Sequence, residues 1–213
     1  MQRFKALIQA MPLQEQAFTV KKSNWAKYMG DVSLVSVILS TIFDGKETVQ
    51  ISRGDLFALA KSNDMTTFIV STILWGYPRG MRGNHFKTIT DELETLDYLL
   101  REAKQGVSNW SEHYKKVDNI RGLGLSTYSK FLYFLEANID GDKALILDIR
   151  IANTLKNSTF KELEVLNKVT YTNAVKNYTK YLKHMSELSK VFNVDSGKLE
   201  MFIFEFGLNL KVT

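Results

Sequence analysis

Cysteine is absent from this chain of 213 residues, and proline occurs only twice. Without thiolates the chain cannot form a disulfide scaffold, a cysteine-ligated zinc site, an iron–sulfur cluster or a cysteine nucleophile. The scarcity of proline suits long uninterrupted helices. The three histidines lack the spacing of paired metal ligands, and no P-loop, dinucleotide-binding or serine-hydrolase motif occurs. Most metal-dependent, redox and nucleotide-driven enzymes are therefore disfavoured.

Long apolar runs are also missing. The most apolar stretch, residues 32–43, is far shorter than the ~20 residues that span a bilayer. The N-terminal region has a basic start but no cleavage site after an apolar run. We therefore expect a cytoplasmic protein that has no membrane partner.

The chain carries 28 Lys and Arg against 23 Asp and Glu, and 45% of its residues are hydrophobic. This composition is typical of a folded protein, and the length fits one compact unit or two small lobes that share a cleft. The net charge of +5 is unevenly distributed, because residues 109–190 hold 13 basic and 9 acidic side chains. The local excess points to an anionic partner for that segment.

Apolar spacing and capping residues predict an all-α protein. Ser52 and Asp55 fit a capping box that opens a helix ending near Lys61, and Asp64 caps a helix that ends at Gly76. Ser23 and Asn24 are expected to cap residues 25–43, which form one long helix or two abutting ones. Further helices are predicted over about 84–104, 110–117, 125–137, 149–155, 172–190 and 196–208. Only two short runs favour strands, at 47–52 and 143–147.

The most informative segment is the turn Gly122-Leu123-Gly124. Two glycines permit a tight reversal between helices, and the leucine is expected to pin the turn into the core. The amides of the turn and the N-terminus of the next helix can hold a phosphate. Ser126 and Lys130 follow at i, i+4 and share a face of that helix. An ordinary helical hairpin with glycine in its loop is the alternative interpretation.

This segment resembles the helix-hairpin-helix of the DNA glycosylase superfamily, which includes endonuclease III and 8-oxoguanine DNA glycosylase. The superfamily has a catalytic Asp roughly two dozen residues after the hairpin, behind an apolar stretch, and Asp148 after 144–147 matches that description. Arg150 stands where many members have His. The segment 73–83 is similar to bacterial proteins that have the 8-oxoguanine glycosylase fold. The resemblance covers most of the chain.

The resemblance implies a two-lobed, all-α helix-hairpin-helix DNA glycosylase fold as a single unit over 1–213. One lobe is expected at about 31–139 and the other at about 1–30 plus 140–213. The implied partner is duplex DNA that contains a modified or damaged base, bound by a monomer. Several relatives carry an iron–sulfur cluster, which this chain cannot hold without Cys. Some members hold a monovalent cation on hairpin carbonyls, but we expect no cofactor.

Asp148 is the catalytic residue that the resemblance implies. Breaking an N-glycosidic bond develops positive charge on the sugar, so a carboxylate beside it lowers the barrier. The helix N-terminus that Asp148 caps favours its ionised form. The same carboxylate can orient or deprotonate an attacking water or amine. A purely structural N-cap is the alternative role.

Members that also cleave the strand have Lys two residues after the second hairpin glycine, where this chain has Ser126. A serine cannot form a Schiff base, so the resemblance implies a monofunctional enzyme in which Asp148 assists water. Lys130 lies one turn further on the same face, so a glycosylase and AP lyase that uses Lys130 is an alternative. A non-catalytic helix-hairpin-helix DNA-binding protein and an all-α interaction protein are the others. The sequence does not name the excised base.

Candidate DNA contacts surround the hairpin. They are Lys115, Lys116, Arg121, Gly122, Leu123, Gly124, Ser126 and Arg150. A flipped base also needs a pocket with aromatic walls and polar contacts. Candidates for that pocket are Trp75, Tyr77, Arg79, Arg82, His85, Trp110 and Phe134. The alternatives are core positions for the aromatic residues and a solvated loop for the basic ones.

Overall fold

The computed structural model describes residues 1–210, and this part of the chain is predominantly helical, which confirms the predicted all-α class. The helices are α1 (Lys5–Ala10), α2 (Leu34–Phe43), α3 (Arg53–Lys61), α4 (Met65–Gly76), α5 (His85–Thr90), α6 (Leu93–Lys104), α7 (Trp110–Val117), α8 (Leu125–Phe134), α9 (Ile149–Lys156), α10 (Ala174–Phe192) and α11 (Ser196–Phe206). Short strands are β1 (Ala17–Lys21), β2 (Thr48–Ser52), β3 (Asn138–Ile139) and β4 (Asp142–Lys143). None of the helices within 1–210 is long and apolar enough to cross a membrane.

The strand prediction at 47–52 is confirmed, because β2 pairs antiparallel with β1. The register aligns Ala17 with Ser52 and Lys21 with Thr48. Sequence analysis did not predict β1. β1 pairs with β2, which follows α2 in the sequence, and no local sequence pattern predicts a pairing between segments so far apart.

The prediction of a strand over 143–147 was wrong beyond its first residue. β4 ends at Lys143, and the buried residues 144–147 have no strand partner. The carbonyls of Leu145 and Ile146 instead accept hydrogen bonds from Tyr178 (2.7 Å) and Tyr181 (3.0 Å) of α10. These tyrosines satisfy the buried backbone and thereby hold the segment that leads into α9.

The predicted helix starts at α3 and α4 are confirmed. Ser52 and Asp55 form a reciprocal capping box at α3. The Asp64 carboxylate accepts a hydrogen bond of 2.9 Å from the amide of Thr67 at the start of α4. Both starts depend on residues within one turn of each other, which is why the sequence reveals them.

In the stretch 25–43, predicted as one long helix or two abutting ones, the α-helix begins only at Leu34, after a short 3-10 turn at Ala26–Tyr28. The Asp31 carboxylate accepts hydrogen bonds from the amide (3.2 Å) and hydroxyl (2.5 Å) of Ser33, and Ser33 then caps α2. Side-chain bonds of this local kind compete with helix formation. The helix predicted over 84–104 is likewise interrupted, since α5 ends at Thr90 and α6 begins at Leu93.

α8 lies in the centre of the fold. All of its residues except Ser126 are buried, and it packs against α3, α4 and α6. α10 packs on α11, and α11 also contacts α1 and α9. Leu123 of the turn before α8 and Ile151 at the start of α9 both belong to one hydrophobic core.

The division into lobes at about 31–139 and at 1–30 plus 140–213 stays a prediction. α1 packs against α11 of the second segment, whereas β1 pairs with β2 of the first. Residues 211–213 of the predicted second lobe lie outside the described part of the chain.

Candidate active site

The turn between α7 and α8 reverses the chain as the glycines predict. Gly122 has a φ of 88°, in the left-handed region that favours glycine. Leu123 is buried, as predicted, and Gly124 starts α8 in an extended conformation. Backbone bonds from Ile120 to the Val117 carbonyl (3.0 Å) and from Leu123 to the Ile120 carbonyl (3.1 Å) close the turn.

Gly122 is also required by its neighbours. A Cβ at this position would lie 2.7 Å from Nδ1 of His85 and 2.9 Å from Oγ1 of Thr88. The start of α5 therefore packs directly on the turn. The hydroxyl of Tyr77 lies 2.7 Å from Oγ1 of Thr127 and forms a second link. The glycine-rich loop 76–84 thus lies against the hairpin, a contact that local sequence patterns did not predict.

The loop and the turn together line a groove of about 570 Å³, which we call the hairpin groove. It brings together the predicted residues Tyr77, Arg82, His85, Arg121, Gly122, Leu123, Gly124 and Ser126. Arg82, His85 and Arg121 make its character basic, and Asp118 is the carboxylate on its wall. A basic groove beside the amides of a tight turn can hold a polyanion.

The predicted basic residues Arg79, Lys115 and Lys116 do not line the hairpin groove. Arg79 is exposed on the loop. Lys115 lines a wider groove of about 1020 Å³ near the starts of α7 and α10, together with Lys176. Lys116 donates to both carboxylate oxygens of Glu102, at 2.9 and 3.2 Å, so its charge already has a partner.

Asp148 caps α9. Its Oδ1 accepts hydrogen bonds from the amides of Arg150 (2.9 Å) and Ile151 (3.0 Å), which the helix leaves unpaired. The half-buried carboxylate also lines a cavity of about 190 Å³, which we call the Asp148 cavity. A capping role and a place in a cavity are therefore compatible in this residue.

Lys130 reaches the same cavity from α8. Its buried Nζ donates to the carbonyl (2.6 Å) and the hydroxyl (3.2 Å) of Ser126 and lies 5.7 Å from the centre of the Tyr77 ring. Gly76 makes room for this side chain, because a Cβ there would lie 2.9 Å from Cδ of Lys130. The structure thus brings an amine and the Asp148 carboxylate to one enclosed space.

The most deeply buried residues of the cavity wall form an ion pair. Nη1 of Arg53 donates to Oε2 of Glu200 at 2.7 Å, and Nη2 lies 3.4 Å from Oε1. Nε of Arg53 donates to Oε1 of Gln16 at 2.5 Å. The guanidinium also lies over the rings of Trp75 and Tyr133, at 5.4 and 5.1 Å from their centres. These contacts hold the Glu200 carboxylate in one orientation.

Burial governs the electrostatics of this pair. Removal from water raises the pKa of the Glu200 carboxyl, Arg53 and Lys130 oppose that rise, and Asp148 adds to it. Burial also works to lower the pKa of Arg53, but the Glu200 carboxylate outweighs it and the pKa rises, so the guanidinium stays charged. Glu200 is therefore electrostatically coupled to both Asp148 and Lys130.

Sequence analysis did not single out Arg53 or Glu200. They are 147 residues apart, on α3 and α11, so no local spacing relates them. One signal was available, since Glu200 is an acidic residue within the apolar run 199–204. A charged side chain inside an apolar helix face needs a buried partner.

The aromatic candidates for the base pocket fall in different places. Trp75 lines the Asp148 cavity, and Phe134 packs edge-on against it with ring centres 5.2 Å apart. Trp110 lies between α7 and α10, where its Nε1 donates to the carbonyl of Val175 at 2.9 Å and its ring lies 4.7 Å from that of Tyr178. The structure therefore brings Trp75 to Asp148 but not Trp110.

Arg150, a predicted DNA contact, lies over a residue of the cavity wall. Its guanidinium is 4.9 Å from the centre of the Phe204 ring, and its Nη2 lies 3.4 Å from the carbonyl of Glu205. The side chain thus covers the C-terminal end of α11 in this conformation.

Comparison with known proteins agrees with the predicted superfamily. The family model described as "Putative 8-oxoguanine DNA glycosylase OGG-like protein" matches residues 11–204, a range that contains the hairpin, Lys130 and Asp148. The chain matches no curated protein and no solved structure. A DNA glycosylase-like family implies that DNA is bound. Since the match spans most of its length, the chain belongs to this OGG-like DNA glycosylase family.

Proposed function

We propose that the protein excises a modified or damaged base from DNA and that Asp148 assists cleavage of the N-glycosidic bond. The observation that carries this proposal is the single cavity shared by Asp148, Lys130 and the aromatic ring of Trp75. Base excision needs a carboxylate near the sugar and an enclosed, partly aromatic space for an extrahelical base. Family membership supports the same reaction class.

The hairpin groove and the Asp148 cavity adjoin each other. Tyr77 and Ser126 line the groove, while their neighbours Gly76 and Lys130 line the cavity. Ser126 and Lys130 are also joined by hydrogen bonds. A strand held by its phosphates at the groove would therefore have its extrahelical base beside the cavity.

The proposed reaction is hydrolysis. The bond between C1′ and the base nitrogen breaks, and the base leaves with the bonding electrons. The Asp148 carboxylate stabilises the positive charge that develops on the sugar. A water oxygen bonds to C1′ as its proton passes to Asp148, which then releases that proton to solvent or to the departed base. Because the bonds to amides engage Oδ1, we assign this work to Oδ2.

The presence of Lys130 in the cavity supports a second mechanism. There the neutral Lys130 amine bonds to C1′ in place of water, the bond from C1′ to the base nitrogen breaks, and the proton lost by the amine passes to the departing base. The resulting covalent intermediate permits strand cleavage by the same enzyme. The two hydrogen bonds from Nζ of Lys130 to Ser126 argue against this second mechanism, because they direct the amine toward the backbone of α8. We retain water as the attacking group.

The test is a base-release screen over duplexes with oxidised, alkylated and deaminated bases, using wild type and Asp148→Asn. Release of at least one base by wild type, and its loss in Asp148→Asn, is the expected result. Equal release by both proteins would remove Asp148 from the reaction. Salt-sensitive duplex binding without any release would instead support a non-catalytic DNA-binding protein.

A further inference from the structure

A pocket of about 340 Å³ is lined by one face of α3, the end of α8 and the start of α11, and we call it the α11 pocket. It shares no lining residue with the hairpin groove or with the Asp148 cavity. Ser126 of the groove and Tyr133 of the α11 pocket are about 10 Å apart along the axis of α8. A ligand in this pocket would therefore be distinct from a strand or a base bound at the other two sites.

The wall of the α11 pocket contains a hydroxyl that has no partner in the described part of the chain. Tyr133 lines the pocket and is 6% exposed, and its hydroxyl is buried without a hydrogen-bond partner among residues 1–210. The guanidinium of Arg53, 5.1 Å from the centre of the Tyr133 ring, has only donors and cannot accept from the hydroxyl. Burial raises the pKa of Tyr133 to about 12, although Arg53 opposes the rise, so the hydroxyl keeps its proton at neutral pH. A buried, unpaired donor in a pocket wall indicates a ligand that brings an acceptor.

The start of α11 adds a second unpaired donor at the same place. A Cβ at Gly197 would lie 2.7 Å from the hydroxyl of Tyr133, so the missing side chain lets that hydroxyl reach the first turn of the helix. Oδ1 of Asp195 accepts from the amides of Gly197 (2.8 Å) and Lys198 (3.2 Å). No acceptor within residues 1–210 pairs with the amide of Ser196, which also lines the pocket. Two donors at a helix N-terminus favour an anionic group such as a carboxylate.

Both signs of charge line the α11 pocket without pairing with each other. Lys61 and Lys143 provide two ammonium groups, and Glu136 and Asp195 provide two carboxylates. Within residues 1–210 the side chains of Lys61, Lys143 and Glu136 form no ion pair or hydrogen bond, and Asp195 uses only Oδ1. The two carboxylates would repel a simple anion, whereas a ligand that carries both charges complements all four groups.

The remainder of the wall is apolar. Leu13, Phe57, Ala58 and Leu145 line the pocket beside the charged groups. A cavity of about 150 Å³ holds a benzene molecule, and the α11 pocket has about 340 Å³. The volume therefore accommodates an apolar side chain together with a small charged group of each sign. Apolar walls with a few convergent polar groups are typical of a small-ligand site.

We propose that the α11 pocket binds a free α-amino acid that has an apolar side chain. The carboxylate of the amino acid accepts from the hydroxyl of Tyr133 and the amide of Ser196, beside the two lysines. Its ammonium group donates to the carboxylate of Glu136, and its side chain packs on Phe57. This inference is independent of the proposed function, because neither DNA nor Asp148 takes part in it.

Isothermal titration calorimetry of the full chain tests the inference with three matched compounds. L-Leucine carries both charges. N-Acetyl-L-leucine lacks the ammonium charge and represents the last residue of a peptide, whereas L-leucinamide lacks the carboxylate and represents the first residue of a peptide. L-Phenylalanine and its two corresponding derivatives form a parallel series.

In at least one series we expect the free amino acid to bind at least about tenfold more tightly than either derivative, since each derivative loses a charged hydrogen-bonding group. Absence of binding by both amino acids at millimolar concentration would overturn the inference. Binding of a derivative as tight as that of the amino acid would also overturn it, in favour of a peptide terminus as the ligand.

Two variants locate the site. Tyr133→Phe keeps the ring beside Arg53 and loses only the hydroxyl, so it should weaken binding of the amino acid at least about tenfold. Because that hydroxyl has no partner in the free protein, the midpoint of urea unfolding without ligand should not fall. Glu136→Gln should weaken binding of the amino acid but not of its N-acetyl derivative, which has no ammonium group.

Tyr28→Phe is the matched control. The hydroxyl of Tyr28 is likewise buried and unpaired within residues 1–210, but Tyr28 does not line the α11 pocket. This variant should bind the amino acid as wild type does. Unchanged binding in both Tyr133→Phe and Glu136→Gln would place the amino acid elsewhere and contradict the inference. Equal weakening by Tyr133→Phe and Tyr28→Phe would contradict it as well.

Discussion

The amine of Lys130 donates a hydrogen bond of 2.6 Å to the carbonyl of Ser126, one turn earlier on α8. Ser126 is two residues after the second hairpin glycine, where the superfamily members that also cleave the strand have lysine. The only lysine of α8 thus stands one turn further along, inside the Asp148 cavity. Lys130 is therefore the side chain at which the proposed hydrolysis can be tested against amine attack.

Borohydride reduction distinguishes the two mechanisms. An amine that attacks C1′ forms an imine, which borohydride converts into a stable protein–DNA adduct. We expect no adduct when wild type is incubated with abasic DNA, because water is the proposed attacking group. A covalent adduct that disappears in Lys130→Met but persists in Lys115→Met would transfer the attack to Lys130.

Asp148→Asn should abolish catalysis while preserving the fold. Asn is as good an N-cap as Asp, so the free energy of unfolding should change by less than about 1 kcal/mol. Loss of the charge should lower base release by a factor of about 10² or more. Asp195→Asn is the matched control, because Asp195 caps α11 through the amides of Gly197 (2.8 Å) and Lys198 (3.2 Å) and does not line the cavity.

Equal losses of activity in the Asp148→Asn and Asp195→Asn variants would indicate that only capping matters. Circular dichroism and urea unfolding report the fold, and quantification of the released base reports the reaction.

Gly122→Ala should destabilise the protein more than Gly141→Ala. Both glycines have positive φ, 88° and 92°, so each substitution carries a backbone cost of about 1–2 kcal/mol. At Gly122 the new Cβ also meets His85 and Thr88, whereas nothing lies within 4 Å at Gly141. Urea unfolding measures the difference, which we expect to be about 1–3 kcal/mol. Equal destabilisation by the two substitutions would show that α5 moves away from the new Cβ at no cost in free energy.

Arg121→Ala should weaken duplex binding and lower the slope of log Kd against log salt by about one, since one phosphate contact is lost. Lys116→Ala should lower that slope less, because Lys116 is already paired with Glu102. Lys46→Ala, outside both grooves, is the control. A titration over several salt concentrations measures all four proteins. A larger effect at Lys116 than at Arg121 would contradict the assignment of the hairpin groove to DNA.

Stability should fall as the pH drops below about 6.5, in part through His113. Burial lowers the pKa of His113, Glu102 at 4.0 Å opposes that shift, and Lys116 adds to it. Because the folded pKa lies below the unfolded one, the unfolded chain takes up the proton first. The stabilisation is therefore complete above the unfolded pKa and is lost as the pH falls toward the folded pKa.

His113→Gln should show a smaller loss of stability between pH 7.5 and pH 5.5 than wild type in urea unfolding. Glutamine keeps a polar partner for the hydroxyl of Tyr128, which lies 2.6 Å from Nε2 of His113. Parallel pH profiles for the two proteins would mean that other groups account for the acid sensitivity.

Sequence reasoning predicted the features that depend on neighbours along the chain. The capping box at Ser52, the cap at Asp148 and the glycine turn at 122–124 each involve residues within about one turn of each other. Hydrogen bonds and backbone conformations on this scale are encoded by contiguous residue types. β1 was missed because its partner strand is distant in the sequence. The interruption at Asp31 is local, and it was missed because the apolar pattern gives no weight to a side chain that competes with helix formation.

By itself, then, the sequence determined the helical class, the hairpin turn and the placement of Asp148 at a helix start. Only the tertiary structure decided that the glycine-rich loop rests on the hairpin, that Lys130 shares a cavity with Asp148 and that Arg53 and Glu200 meet in its wall. The physical reason is packing. Burial of α8 between helices from remote parts of the chain brings these groups together, and no pattern within one segment encodes a contact with another.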